Sequence, residues 1–275
     1  MTTGQQSPGN ESALITVRDL WTRFDEFWIH REITFEVRPG ESLVIIGGSG
    51  SGKSTLLRAM IGLLRPERGD VVVGGLDVMR SSEPALYELM RRVGVLFQFG
   101  ALFDSLAVWE NVTFGLQDRK LSDAERRRLA SEKLKMVGLR GVEDLLPGQL
   151  SGGMKKRVAL ARAIAHDPEI LFCDEPTSGL DPVMSDLISE LILQMNERLG
   201  VTTVTITHDI ATAYKIGDRI AMLYDGTILV CDTPDGIRAT QDPIVRQFIE
   251  GRAHGPIRGE VAEETSTPGP GGRAG

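Results

Sequence analysis

The sequence predicts an α/β fold, with a mostly parallel sheet core, an antiparallel β subdomain ahead of it and a helical subdomain inserted into it. Three observations predict this. The short apolar runs Leu43-Val44-Ile45-Ile46, Val93-Gly94-Val95-Leu96-Phe97 and Ile170-Leu171-Phe172-Cys173, and the strand-like Thr203-Val204-Thr205-Ile206-Thr207, are separated by helical patterns. Doubly covered parallel strands read this way. Between Leu14 and about Gly40 the pattern instead alternates, with Leu14, Thr16 and Arg18, then Ile33, Phe35 and Val37, as in two strands of an antiparallel sheet. From about 104 to 165 helical character replaces the strand–helix alternation.

In chain order, residues 1–12 are polar with Gly and Pro and are expected to be disordered. An aromatic-rich turn holding Trp21, Phe24, Phe27 and Trp28 joins the first two strands. The strand at 43–46 runs into a glycine-rich turn and then a helix, Leu56 to Leu64, ended by Arg65-Pro66 and Gly69. Val71-Val72-Val73 before Gly74-Gly75 reads as a strand and turn. Ser122-Asp123-Ala124-Glu125 is a capping box for a helix that stops near Gly138. Its triple Arg126-Arg127-Arg128 reads as a solvated face, or else as a contact for headgroups or a partner. Met184, Leu187, Ile188, Leu191, Ile192, Met195 and Leu199 share one helical face, closed by Gly200. Ile220–Leu223 and Ile228–Cys231 flank Asp225-Gly226, a hairpin signal. The expected organisation is one domain over 13–250, with a mobile Gly/Pro-rich tail over 251–275.

The 275 residues carry a net charge of −7, which argues against a general nucleic-acid binder. No apolar run approaches the length that crosses a bilayer, and the polar start lacks a signal core. A cytosolic protein is therefore expected. The two cysteines, Cys173 and Cys231, fall in strands and suggest neither a disulfide framework nor a metal site.

The chemistry begins at Gly47-Gly48-Ser49-Gly50-Ser51-Gly52-Lys53-Ser54-Thr55. Strand, glycine turn, Lys-Ser and helix form the context a Walker A loop requires. Glycines let successive N–H groups converge on one anion, and the helix N-terminus adds partial positive charge. Lys53 can reach β- and γ-phosphates, and the Ser54 hydroxyl can ligate Mg²⁺. Asp174, delivered by the end of an apolar strand, suits a metal-holding carboxylate. Glu175 follows it and can face the attacking water as a base. An acidic helix cap is the other reading of Asp174-Glu175-Pro176; the upstream Walker A loop favours the catalytic one. Leu150-Ser151-Gly152-Gly153-Met154 opens a helix with Ser151 as N-cap. Such a start is either a second anion site or a plain cap.

Taken together, the Walker A loop, Gln98 at a strand end, Leu150-Ser151-Gly152-Gly153, Asp174-Glu175, Ser178-Gly179-Leu180-Asp181 and His208 resemble the nucleotide-binding subunit of ABC transporters in order and spacing, over roughly residues 14–240. The resemblance implies a P-loop NTPase core that hydrolyses ATP with Mg²⁺. Lys53, Ser54 and Thr55 would hold phosphates and metal, and Gln98 would sense Mg²⁺ and the attacking water and couple to the permease. Glu175 would be the base and His208 the γ-phosphate contact, while Asp181 would communicate across a dimer. Ser151, Gly152 and Gly153 would grip the nucleotide of a second copy of the chain. Phe24 is the expected adenine-stacking aromatic, with Trp21 as runner-up and core packing as the alternative for either. Met154 departs from the Gln usual in the family, which removes a ribose-side polar contact from that position.

Phe99-Gly100-Ala101-Leu102-Phe103-Asp104, the Leu-Ser-Gly-Gly-Met signature, and the closing Val245–Gly251 and Gly255-Pro256 are similar to ATPases of Mla/Mce-type phospholipid transport. That branch implies integral-membrane permease partners, a small regulatory subunit, a lipid-binding Mce-type protein, and a peripheral place on the inner face of the cytoplasmic membrane. An amino-acid or metal importer ATPase is the alternative, followed by a non-transport ABC protein.

Overall fold

The computed structural model describes residues 13–257; the expected disordered start, 1–12, and residues 258–275 of the expected mobile tail, 251–275, lie outside the described residues. The elements run β1 (Ile15–Phe24), β2 (Phe27–Val37), β3 (Ser42–Ile46), α1 (Lys53–Met60), β4 (Arg68–Val73), β5 (Leu76–Asp77), α2 (Glu83–Met90) and β6 (Val93–Leu96). They continue with α3 (Val108–Thr113), α4 (Asp123–Met136), α5 (Gly152–Ala163), β7 (Ile170–Asp174), α6 (Pro182–Leu199), β8 (Thr202–Thr207) and α7 (Ile210–Ile216). The chain closes with β9 (Arg219–Tyr224), β10 (Thr227–Asp232), α8 (Pro234–Ala239) and α9 (Pro243–Glu250).

Six strands form the core sheet in the order β10-β9-β3-β8-β7-β6. Strands β6, β7, β8, β3 and β9 are parallel, and β10 returns antiparallel through the Asp225-Gly226 turn. Their apolar runs bury both faces. On β3, Val44 and Ile46 face the helical side, while Leu43 and Ile45 face α1 and the antiparallel sheet. On β7, Leu171 and Cys173 take the helical side, and Ile170 and Phe172 the other. Each such side chain removed from water contributes roughly 1.5–3 kcal/mol before chain entropy is charged against it. The C-terminal ends of β3, β6, β7 and β8 therefore open on one crevice, where parallel α/β sheets hold their ligands.

The second sheet is antiparallel, β2-β1-β4-β5. Its phase differs from the sequence reading: Ile15, Val17 and Leu20 are buried, not Leu14, Thr16 and Arg18. Asp19 sits at φ 48 within the register shift between Val17 and Leu20, and this irregularity moves the inward face by one residue. The aromatic turn is also tighter than its residues suggest. Trp21 and Phe24 belong to β1, Phe27 and Trp28 to β2, and only Asp25-Glu26 turn.

Residues 104–165 hold α3, α4 and α5. Ser122 and Glu125 form the expected capping box of α4. Arg126 and Arg127 lie over the Trp109 ring at 5.1 and 4.6 Å; Arg126 is partly buried there, while Arg127 and Arg128 stay exposed, as the solvated-face reading expects. Among the described residues no helix is long and apolar enough to cross a membrane.

Candidate active site

Gly52 takes φ 97, a conformation that only glycine adopts without strain, and it is the N-cap of α1. A Cβ there would lie 2.6 Å from His30 Nε2 and 2.8 Å from Ile29 Cγ2. Ser49 to Thr55 line a cavity of about 330 Å³ with Gln98 from the end of β6, Glu175 from the end of β7, His208 from the end of β8, and Ile29. Gly47 and Gly48 lie outside this lining and accept from Lys53 Nζ at 2.8 and 2.9 Å. Burial pushes the Lys53 ammonium below the usual lysine range, against the opposing pull of Glu175 and Asp174.

Ser54 Oγ donates to Asp174 Oδ1 at 3.1 Å. The Asp174 carboxyl is raised by burial, with the Ser54 hydrogen bond acting the other way. A hydroxyl and a half-desolvated carboxylate side by side are hard oxygen donors of the kind Mg²⁺ takes, completed by phosphate oxygens. Among the described residues there is no group of three or more His, Cys, Asp or Glu able to hold a metal alone. Ser51 Oγ is buried beneath the loop without a hydrogen-bond partner, which suits an anion acceptor arriving there.

Glu175 is the convergence point of the cavity. Its backbone stands at φ 46, in the left-handed region that non-glycine residues rarely enter. Its Oε2 lies 2.9 Å from His208 Nδ1 and accepts from Thr207 Oγ1 at 3.2 Å and from the His208 amide at 3.3 Å. Its Oε1 is 3.8 Å from Lys53 Nζ. Glu175, Lys53, Thr207 and His208 thus share one network.

The remaining expected residues lie elsewhere. Ser151 caps α5, accepting from the Met154 amide at 3.3 Å, and with Gly152 it is exposed. Gly153 is pressed on Met184, whose Cε would be 2.5 Å from a Cβ. Asp181 caps α6 through Val183 N and Met184 N. Met154 packs its thioether toward the core. Phe24 stands at the hairpin tip, 49 % exposed and outside the cavity lining. Trp21 packs edge-on against Trp28 at 5.3 Å and donates to Asp19.

The geometry matches one family. A model of the ABC transporter family matches residues 30–178. The chain belongs to the ABC transporter family. It is 41 % identical over 254 residues to a probable ribonucleotide transport ATP-binding protein of Mycobacterium leprae, covering 92 % of this chain and 73 % of that one. It is 37 % identical over 254 residues to the intermembrane phospholipid transport system ATP-binding protein MlaF of Escherichia coli, covering 92 % of this chain and 93 % of that one. Among solved structures, a dimeric ATP-binding cassette in a post-hydrolysis state bound to ADP and Pi superposes with a TM-score of 0.74 at 33 % identity, covering 80 % of this chain and 98 % of that one. As a member of this family the chain binds and hydrolyses ATP, on the α/β core expected from its sequence.

Sequence reasoning missed Ile29, Thr207 and His30. His30 is fully buried, with Nδ1 2.7 Å from Thr22 Oγ1 and Nε2 3.1 Å from the Gly52 carbonyl. This arrangement suits a neutral ring that accepts from Thr22 and donates to the loop; a histidine inside an apolar-alternating strand was the available signal. Burial lowers its imidazole from 6.5 to about 4. Between those values the unfolded chain binds more protons than the folded one, so stability falls as pH falls through that window. Acidification from pH 6.5 to 4 is expected to remove about 3 kcal/mol through this residue. Denaturant unfolding across that range checks it: His30→Gln should flatten the acid-side slope, and an unchanged slope would rule His30 out as its source.

Proposed function

We propose that this chain is the ATPase subunit of a phospholipid transporter, working as a homodimer beneath integral-membrane permease subunits on the cytoplasmic face of the membrane. The observation that carries the substrate class is the similarity to MlaF along almost the whole of both chains. The Phe99–Asp104 stretch agrees with it. Beside Gln98 an apolar groove of about 370 Å³ is lined by Phe97, Ala101, Phe103, Phe114 and Leu116 among others. Phe99 stands 88 % exposed next to it. Such a groove suits the apolar face of a partner helix. A lipid-binding Mce-type protein and a small regulatory subunit belong to the same reading.

In hydrolysis, Lys53 and the loop amides hold the phosphates, and Ser54 and Asp174 hold Mg²⁺, which would neutralise charge developing on the phosphoryl oxygens. Glu175 receives the proton of the attacking water, and His208, hydrogen-bonded to its carboxylate, steadies it. Ser151 and Gly153 of the second copy would close on the nucleotide, and Phe24, from the exposed hairpin tip, would cover adenine. Closure and reopening of the two copies form the two-state element the permease reads.

Affinity purification of the tagged chain from its native membrane, with identification of the co-purifying permease and bound lipid, tests this reading. The expected result is a permease with phospholipid; a permease carrying ribonucleotide or amino acid instead would overturn the substrate class. Phe103→Asp should lose the permease from the same preparation while nucleotide affinity stays within about threefold, because a charge in an apolar interface is left without a partner.

A further inference from the structure

Lysine side chains are seldom buried, yet Lys156 on α5 is only 6 % exposed. Its ammonium reaches between the ends of two neighbouring strands. Strands β6 and β7 pair in parallel as far as Leu96↔Cys173 and then separate. Across the gap Lys156 Nζ donates to the backbone carbonyl of Gln98 on one side and to that of Glu175, at 3.1 Å, on the other. Both of these residues line the nucleotide cavity.

The Glu175 carbonyl belongs to a residue in the left-handed region. Such a conformation persists only where its surroundings over-determine it. Three contacts do so here. The Glu175 amide donates to Ile206 O at 2.9 Å, its carbonyl accepts from Ser178 N at 3.2 Å, and Lys156 supplies the remaining donor. An ammonium with three donors and no acceptor suits two facing carbonyls, and a methionine in its place would leave both without this donor. Burial disfavours the charge on Lys156, and the neighbouring Asp174 and Glu175 carboxylates favour it.

We propose that Lys156 is a positioning residue for hydrolysis: by holding the Gln98 and Glu175 backbones together it fixes the spacing of the two side chains that flank the attacking water. This rests on the reading of Glu175 as the base. The strut touches neither the Walker A loop nor the residues that hold phosphate. Its loss therefore acts on the chemical step and leaves binding in place. Because Lys156 lies on the helix that Ser151 opens, a displacement of α5 also reaches the base through this one side chain.

The test uses the full-length chain and its Lys156→Met, Lys156→Arg and Glu175→Gln variants, with steady-state ATPase kinetics, binding of a fluorescent ADP analogue, and thermal melting. Lys156→Met is expected to lower kcat about 100-fold, as a misplaced reacting group does, with nucleotide affinity held within about threefold. Lys156→Arg keeps charge and donors and is expected to recover most of the loss, ending about three- to tenfold below wild type with KM unchanged. Wild-type kcat in Lys156→Met overturns the proposal, and so does a parallel loss of kcat and nucleotide affinity. If Lys156→Met fails to fold, Lys156→Arg decides: a wild-type kcat, or a KM that rises in step with a falling kcat, overturns the proposal. Wild-type hydrolysis by Glu175→Gln would instead refute the base assignment. An inactive Glu175→Gln beside a fully active Lys156→Met would refute the strut alone.

Discussion

Glu175→Gln is expected to cut ATP turnover about 10²- to 10⁴-fold, the contribution of a positioned general base, while ATP binding survives. The substitution keeps the shape of the side chain and removes the proton acceptor. It also removes the negative charge 3.8 Å from Lys53 Nζ. A cation relieved of that partner is freer to meet the phosphates, so affinity should rise and not fall. Bound ATP that cannot be hydrolysed keeps the two copies closed, and the variant should elute as a stable dimer with Mg-ATP and as a monomer with Mg-ADP. Size-exclusion chromatography with bound-nucleotide analysis reads this directly, and hydrolysis at the wild-type rate would show that the base is another group. The ring of His208 shares the carboxylate at 2.9 Å, so Glu175→Gln weakens that contact as well. For this reason the measured loss should exceed that of His208→Ala.

Most of the sheet was legible because strands buried on both faces carry apolar runs, as β3, β6 and β7 do, while β8 was legible from its run of β-branched residues. The strand-end chemistry was legible for the same reason: once the runs are placed, Gln98, Asp174 and His208 fall at one edge. Features that depend on meetings between distant residues were not legible. Nothing local announces that His30 reaches Gly52, that Lys156 reaches Gln98, or that Arg126 and Arg127 lie over Trp109. The irregularity at Asp19 was not legible either: it moves the inward face of β1 from the odd-numbered Ile15 and Val17 to the even-numbered Leu20 and Thr22. Helices α2, α7, α8 and α9 are six to eight residues long, too short for a periodic stripe to stand out. Their caps were the better signal. Thr233-Pro234 and Asp242-Pro243 each pair an N-cap side chain with proline at the first helical position.

Ser151→Arg is expected to abolish ATPase activity although the cavity formed by residues 49–55, Gln98, Glu175 and His208 is untouched. Ser151 and Gly152 stand exposed at the start of α5, outside that cavity. If they acted within their own chain, a long cation at Ser151 would change little, because the exposed N-cap contributes only about 1 kcal/mol to the helix. In the closed pair of chains proposed above, the same position would face the nucleotide of the other copy. There the arginine's bulk and charge replace a small hydroxyl and two free amides, so the two copies cannot close and turnover should fall below detection. ADP binding by each separate chain should match wild type, since the Walker A loop needs no partner for it. A one-to-one mixture with Lys53→Met chains should regain activity. One of its two composite sites then combines an intact Walker A loop from the Ser151→Arg chain with an intact Ser151 from the other. Full activity of the Ser151→Arg chain as a monomer would mean that the site is complete within one chain, and the two-copy arrangement would have to be abandoned.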